Sequence, residues 1–208
     1  LLGYGIDEAA PSLVEAVERL ARARHERNLA IIERIMDAKL PLDFARIESI
    51  SRTSYLGRPH LADLLVEAHC AHNRQDAFDR YLGKGKPFYI KKACLALEEA
   101  LSIIDTAGGV SVIAHPYSLF VSKAVLTTLF SQWKEMGIRG IEAYHPTAKY
   151  GQCVILDRMA RDQGMFVTAG SDFHGKMRPE CGLGRTSGNM PIDMRFRDQL
   201  VAALESRT

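Results

Sequence analysis

Apolar side chains recur at helical intervals near the start of the chain, after a capping-box pair formed by Ser12 and Glu15. The apolar positions of this stripe are Leu13, Val17, Leu20, Ile31 and Ile35. They predict one long helix. Polar residues interrupt the stripe at Arg24, Arg27 and Asn28, so this part of the helix either faces solvent or directs polar groups into a cleft.

Two shorter helices are expected further along the chain. Gly57-Arg58-Pro59-His60 precedes an apolar run, so we expect Arg58 to cap a helix whose first residue is Pro59. Another short helix is expected over Gln75 to Leu82, before the breaking segment Gly83-Lys84-Gly85-Lys86-Pro87. Together these patterns predict that residues 8–87 are helical throughout.

The pattern changes after Phe88, where short apolar runs rich in Val and Ile alternate with helical patterns. Three runs predict buried strands over Val110–Ala114, Gly140–Tyr144 and Phe166–Ala169. Helices are expected at about 95–107, 123–136, 152–163 and 195–205. This alternation is typical of the α/β fold class.

The composition narrows the class of protein. Of the 208 residues, 47% are hydrophobic and 25% charged, which is typical of a globular domain and not of a disordered or coiled-coil chain. Lys and Arg number 27 against 25 Asp and Glu, so the net charge of +2 argues against a chain that coats a polyanion. The four cysteines form no CxxC pair, and no apolar run reaches the roughly 18 residues of a membrane span. Because the N-terminus shows no signal-peptide pattern, we expect a cytoplasmic protein without a membrane partner.

Chemically active residues follow the three predicted strands. His115 comes after the first strand, His145 after the second, and Asp172 with His174 after the third. In parallel α/β sheets and barrels, ligands bind at these carboxyl ends. Asp172 and His174 are two residues apart, so in extended backbone both side chains can reach one ion. A carboxylate with imidazoles suits zinc, manganese or iron, whereas His145 fits a structural role at least as well.

A second candidate site is the start of the helix that follows Gly57. Backbone N–H groups and the helix dipole favour an anion there, and Arg58 and His60 stand in this first turn. His60 is equally compatible with a purely structural role.

Two segments, Val-Ile-Ala-His-Pro at 112–116 and Ala-Gly-Ser-Asp-Phe-His-Gly at 169–175, resemble the PHP (polymerase and histidinol phosphatase) superfamily of metal-dependent phosphoesterases. The order of four further segments resembles its TrpH/YciV-type branch, which acts on nucleoside 3′,5′-bisphosphates and short RNA. These segments are Leu2–Asp7, Arg27-Asn28, Gly57–His60 and Phe78–Pro87. The resemblance covers essentially the whole chain.

The resemblance implies a fold and a function. The fold is an incomplete distorted (β/α)7 barrel, formed by residues 1–7 and 88–208, with an all-helical insertion at 8–87. The function is hydrolysis of phosphate esters of nucleotides or of short RNA, with two or three divalent ions (Mn, Zn or Fe) in the complete enzyme that generate the attacking hydroxide.

The resemblance also assigns residues. His115, Asp172 and His174 match metal ligands of the family. Arg58, His60 and Lys86 are then expected to hold the substrate phosphate from the insertion, since the planar fork of arginine matches phosphate oxygens. The expected partner is a phosphorylated small molecule or nucleotide, or short RNA.

The chain departs from the family pattern in two places. The other family ligands, including an N-terminal His-x-His, precede the Leu-Gly-Tyr-Gly segment and are absent from these 208 residues, so we expect this piece alone to be inactive. Pro146-Thr147-Ala148-Lys149 stands where relatives often have Pro-Ser-His-Ser.

Two alternative functions stay open: a non-catalytic PHP-like binding module, and a histidinol-phosphate phosphatase.

Overall fold

The computed structural model describes residues 1–43, 45, 47, 57–175 and 181–207. The chain divides into two compact units. One unit, the sheet unit, comprises Leu1–Leu13 and Ala96–Thr208, and the other, the helical unit, comprises Val14–Leu95. Residues 44, 46 and 48–56, for which helical structure is expected from the sequence, lie outside the described residues.

The helical unit is built around the long helix α1 (Pro11–Asp37), which confirms the first predicted helix. Helix α2 covers Arg58–Glu67 and α3 covers Arg74–Ala77, and α3 continues into a single π-helical turn over Phe78–Leu82. The prediction that residues 8–87 are helical throughout is wrong, because 38–43, 69–73 and 83–87 are not helical in the structure.

The start of α2 also differs from the prediction. Gly57, and not Arg58, is the N-cap, so Arg58 takes the first helical position and Pro59 the second. The reason is local: the Gly57 N–H donates to His60 Nδ1 at 3.1 Å, which closes the first turn one residue earlier.

The helical unit has its own apolar core. Its fully buried side chains come from all of its described helices and include Ile31, Ile35, Leu61, Leu65 and Leu82. Each such burial stabilises the folded state by about 1.5–3 kcal/mol relative to an exposed side chain.

The sheet unit contains a four-stranded mixed sheet in the order β1-β2-β3-β4. The strands are β1 (Leu2–Tyr4), β2 (Val110–Ile113), β3 (Gly140–Tyr144) and β4 (Phe166–Ala169). β2, β3 and β4 run parallel, and β1 pairs antiparallel with β2. The three predicted strands are confirmed, with β2 one residue shorter than expected, and β1 is an addition that the sequence pattern did not indicate.

Four helices accompany this sheet: α4 (Leu97–Thr106), α5 (Lys123–Glu135), α6 (Tyr150–Asp162) and α7 (Arg195–Glu205). All four agree with the helices expected from periodicity. Ile141, Ala143 and Val167 pack into the apolar core that α5, α6 and α7 share with the sheet. The α/β class is therefore confirmed.

Because successive side chains of a strand point to opposite faces of the sheet, the face that lies away from the apolar core carries polar side chains. Glu142 and Thr168 are register partners on β3 and β4, are buried, and do not join the apolar core. In the part of the chain that the structure describes, no helix has the length and apolar character needed to cross a membrane.

Candidate active site

The carboxyl ends of β2, β3 and β4 bring four predicted residues to one edge of the sheet. The rings of His115 and His145 lie 5.0 Å apart between centroids, at an angle of 53°. His145 Nε2 lies 3.4 Å from Asp172 Oδ2, and His174 Nδ1 lies 3.5 Å from Asp172 Oδ1. We call these four residues together with Glu142 the polar edge.

His145 is buried, and its ring is oriented from both sides. The backbone N–H of Thr147 donates to Nδ1 at 3.2 Å, and the Thr147 hydroxyl lies 2.7 Å from the same atom. Because Nδ1 accepts a hydrogen bond, the neutral ring carries its proton on Nε2, which faces the Asp172 carboxylate. His145 therefore directs its Nε2 N–H toward the Asp172 carboxylate, at 3.4 Å from Oδ2.

His115 and His174 both use Nδ1 for a contact within the protein. His174 Nδ1 donates to the backbone carbonyl of Asp172 at 2.7 Å, and His115 Nδ1 lies 2.9 Å from Ser118 Oγ. A histidine that binds a metal through one nitrogen commonly donates its other N–H to a carbonyl or a similar acceptor. The arrangement leaves Nε2 of each ring free of the Nδ1 contacts and available to a metal.

With the Asp172 carboxylate, these imidazoles form a donor set that suits zinc, manganese or iron. The described ranges contain no group of three or more His, Cys, Asp or Glu side chains already gathered around one point. These side chains offer the donor types that such a metal takes, and the assignment of His115, Asp172 and His174 as ligands stays a prediction.

Two of the candidate ligands have an unusual backbone conformation. His115 has φ 31° and ψ 63°, and Asp172 has φ 46°, both in the left-handed region that few non-glycine residues adopt. The buried Pro116 follows His115, which makes this conformation more unusual still. Strain of this kind costs about 1–3 kcal/mol per residue and is typical of functional sites.

Glu142 is a site residue that the sequence analysis missed. Its side chain is buried on β3, and its Oε2 accepts the backbone N–H of His115 at 2.9 Å. Burial raises the pKa of the Glu142 carboxyl, while the His115 N–H and the charge of His115 oppose this shift. The available signal was a carboxylate in the middle of a predicted buried strand, where a charge is rare unless it is paired.

Gly170, which follows β4, leaves space for the Glu142 carboxylate. Any side chain at this position would collide with Glu142 Oε1. On β1, burial and then the nearby Glu142 raise the pKa of Tyr4, and the neighbouring side chain of Thr168 opposes the shift. The short first strand thus contributes to the same polar face.

The three predicted phosphate-binding residues lie in the helical unit. The Arg58 guanidinium lies 5.9 Å from the ring centre of Phe78 and 5.7 Å from that of Tyr89, and it donates to the Leu82 carbonyl at 3.3 Å. His60 accepts the N–H of its own helix cap, and Lys86 is exposed. His60 therefore has a structural role, and phosphate binding by these residues stays a prediction.

The chain matches known proteins over most of its length. It is 28% identical over 185 residues to the 5′-3′ exoribonuclease Rnm of Escherichia coli, covering 89% of this chain and 63% of the relative. It is 27% identical over 193 residues to the 3′,5′-nucleoside bisphosphate phosphatase of Chromobacterium violaceum, covering 92% and 68%. The chain thus spans about two thirds of the length of these relatives. No family model matches it.

Two solved structures share the fold. An amidohydrolase from Chromobacterium violaceum, solved with bound sulfate and without metal, matches with a TM-score of 0.77 and 27% identity over 97% of this chain and 70% of its own. A candidate metal-dependent phosphoesterase from Bifidobacterium adolescentis matches with a TM-score of 0.73 and 26% identity over 95% and 68%. These relatives and structural neighbours confirm the resemblance to the PHP superfamily that the motifs of the chain indicated.

Proposed function

We propose that the protein to which this chain belongs is a metal-dependent phosphoesterase that hydrolyses phosphate esters of nucleoside 3′,5′-bisphosphates or of short RNA. The observation that carries the proposal is the convergence of His115, His145, Asp172 and His174 at one edge of the sheet. The names of the relatives, an exoribonuclease and a nucleoside bisphosphate phosphatase, support the substrate class.

The fold assignment is part of the proposal. The sheet unit is the incomplete distorted (β/α)7 barrel of the family, and the helical unit is its insertion. The mixed sheet with its accompanying helices and the two structural neighbours support this interpretation.

In this mechanism His115, Asp172 and His174 would hold divalent ions. When bound, such ions lower the pKa of water and neutralise phosphoryl oxygens. His145 orients Asp172 through its Nε2 proton, and Glu142 holds the backbone of His115 in position. The rings of His115 and His174 are held through their Nδ1 atoms, and a precise site requires ligands oriented in this way.

Substrate binding is assigned to Arg58, His60 and Lys86. The Arg58 guanidinium lies against two aromatic rings, so its planar fork is held in a defined orientation. An arginine fork held in this way binds phosphate oxygens in pairs, whereas Lys86 contributes a point charge.

The test uses the full-length product of the gene that encodes this chain. With added Mn²⁺ or Zn²⁺ it is expected to hydrolyse nucleoside 3′,5′-bisphosphates or short RNA, and to act less on histidinol phosphate. Asp172→Asn is expected to lower kcat/KM by about a thousandfold, because activation of water requires the bound ion. Full activity of Asp172→Asn, or activity in the presence of a chelator, would contradict the mechanism. Substrate binding without hydrolysis would favour the non-catalytic binding module.

A further inference from the structure

The last residues of β3 depart from the alternation of a regular strand. In a regular strand Tyr144 would share a face of the sheet with the polar Glu142. His145 would then share the other face with Ala143, in the apolar core. The structure shows the reverse, because Tyr144 lies in the apolar core together with Ala143. His145 lies at the polar edge, where its Nε2 faces Asp172 Oδ2 at 3.4 Å.

An extra residue in β3 accounts for this change of face. Glu142 pairs with Thr168 of β4, and the next register pair is Tyr144 with Ala169. β3 thus advances by two residues where β4 advances by one, which is the geometry of a β-bulge. Bulges redirect side chains and are common beside active sites. This bulge delivers His145 to the polar edge.

Tyr144, the residue just before His145, is anchored on the helix side of the sheet by a buried hydrogen bond. Its hydroxyl donates to Asp157 Oδ2 on α6 at 3.0 Å. Burial, followed by the hydrogen bond and the charge of Asp157, raises the pKa of the Tyr144 hydroxyl, and Arg195 opposes the shift. The hydroxyl therefore keeps its proton and stays the donor. Hydrogen bonds to a charged acceptor are stronger than those between neutral groups.

Asp157 is itself held in place, because its carboxylate is buried and has a second partner. Its Oδ1 accepts from Arg161 Nε, one turn further along α6. The ring of Tyr144 is enclosed as well: the Phe196 ring lies 5.0 Å away between centroids, and the Arg195 guanidinium lies 5.5 Å from its centre. Two helices, α6 and α7, thus hold Tyr144 in one position.

We propose that Asp157 is a positioning residue of the candidate active site, because through the Tyr144 hydroxyl it holds the bulge that places His145 beside Asp172. Asp157 acts from the helix side of the sheet, and its effect reaches the polar edge through two adjacent residues of β3. A shift of one residue turns a strand side chain to the opposite face, so without this hydrogen bond β3 can return to regular alternation. The inference rests on the proposed function only in that the site being positioned is the proposed metal site.

The first test needs neither metal nor substrate. His145 Nδ1 accepts from the Thr147 N–H at 3.2 Å, so the neutral ring carries its proton on Nε2. At about pH 8.5 a histidine with an ordinary pKa is neutral, and nitrogen NMR of the ring distinguishes the two tautomers. Tyr144→Phe keeps the aromatic ring and removes only the hydroxyl. In the metal-free full-length protein it is expected to give a mixture of His145 tautomers, where the unmodified protein has one.

The second test compares Mn²⁺ affinity in two backgrounds. In the full-length protein Tyr144→Phe is expected to weaken Mn²⁺ binding about three- to tenfold, at or below the range for direct loss of an orienting partner. In a His145→Phe background the same substitution is expected to change the affinity by less than about twofold, because the residue through which it acts is gone. A merely structural role would lower the affinity equally in both backgrounds.

Variants of Asp157 make the test specific. Asp157→Asn keeps a side-chain oxygen that can accept from Tyr144, so it is expected to retain one His145 tautomer and the Mn²⁺ affinity. Asp157→Val is expected to behave like Tyr144→Phe. Tyr81→Phe is the matched control, since it removes a tyrosine hydroxyl that accepts from Arg80 at 2.9 Å in the helical unit. It is expected to change neither measurement.

The two measurements separate failure of this proposal from failure of the proposed function. An unchanged His145 tautomer in Tyr144→Phe would overturn the positioning role of Asp157. In a protein that binds Mn²⁺, an equal loss of affinity in both backgrounds, or no loss in either, would overturn it too. A protein that binds no Mn²⁺ but changes its His145 tautomer in Tyr144→Phe would refute the metal-dependent function and support the positioning role.

Discussion

The helical unit has a cavity of about 210 Å³ beside α1, the α1 pocket, whose charged lining residues are Arg24, Arg27 and Lys92. The polar edge of the sheet unit and this pocket both concentrate polar side chains, but they differ in whether opposite charges or hydrogen-bond partners lie beside these side chains. At the polar edge, His145 faces Asp172, Glu142 accepts from His115, and His174 donates to a backbone carbonyl. In the α1 pocket, three cations share one cavity with no carboxylate among its described lining residues.

This difference separates two kinds of site. Groups that are hydrogen-bonded within the protein are held in one geometry, which suits the precise placement of ligands around a reacting centre. Groups whose charge is uncompensated gain from an external partner, which suits binding. The comparison predicts that substitutions at the polar edge impair geometry and stability, whereas substitutions in the pocket impair binding alone.

The largest effect at the polar edge, after loss of a ligand, is expected from His145→Phe. The ring is replaced by one of similar size, but Asp172 loses the polar Nε2 that faces it at 3.4 Å and that we propose orients it. Loss of such an orienting partner typically lowers metal affinity about 10- to 100-fold. Titration of the full-length protein with Mn²⁺ measures this change.

His145→Gln is the control for this prediction. Its side-chain amide can place an N–H close to the position of Nε2, so it is expected to retain more metal affinity than His145→Phe. Equal affinities for the two variants and the unmodified protein would show that His145 does not position Asp172.

The next largest effect is expected on the free energy of unfolding, from a substitution at the polar edge. Gly170→Ala is expected to lower the free energy of unfolding by about 1–3 kcal/mol, because the added methyl group collides with the buried Glu142 carboxylate. Gly151→Ala is the matched control on α6, where an added methyl group meets open space. It is expected to raise stability by about 0.4–1 kcal/mol. Urea unfolding of both variants checks the pair, and equal stabilities would contradict the proposed crowding.

How much of the fold and of the candidate site can be predicted from the sequence depends on how far apart along the chain the contacting residues are. The strands at 110–113, 140–144 and 166–169 follow from local apolar runs, and the convergence of His115, His145 and Asp172 follows from parallel pairing of consecutive strands. The three-residue strand Leu2–Tyr4 is too short for a periodic signal and depends on its partner strand.

The α1 pocket of the helical unit shows what could not be predicted from the sequence. The sequence marks Arg24 and Arg27 as interruptions of an apolar stripe, but it does not show which segment lies opposite. The position of Lys92 is set by the contacts of Arg34 with a distant loop, and such long-range contacts leave no periodic pattern. His60 shows a role that the sequence pattern did not indicate, because its ring nitrogen closes the first turn of its helix, whereas anion binding by His60 stays a prediction.

Arg58→Ala tests binding in the helical unit. It is expected to raise KM for the phosphate substrate about tenfold while changing kcat little, because a charge-assisted contact made before the chemical step is lost. Arg58→Lys is expected not to restore KM, since it loses the planar fork and the contacts with Phe78 and Tyr89. Steady-state kinetics measure both, and unchanged KM and kcat in Arg58→Ala would remove this residue from the proposed role.

The smallest effect is expected in the α1 pocket, and it is the most direct check of the comparison. If the three cations are uncompensated, Arg24→Gln and Lys92→Gln should leave the free energy of unfolding within about 0.5 kcal/mol of the unmodified protein, as exposed substitutions usually do. In the Arg24 variant, relief of the repulsion on Arg27 should make any change favourable. Urea unfolding at low and high salt measures this, and the gain should shrink at high salt because ions screen the repulsion. A loss of stability as large as that of Gly170→Ala would mean that these cations hold the helical unit together, and the contrast with the polar edge would then fail.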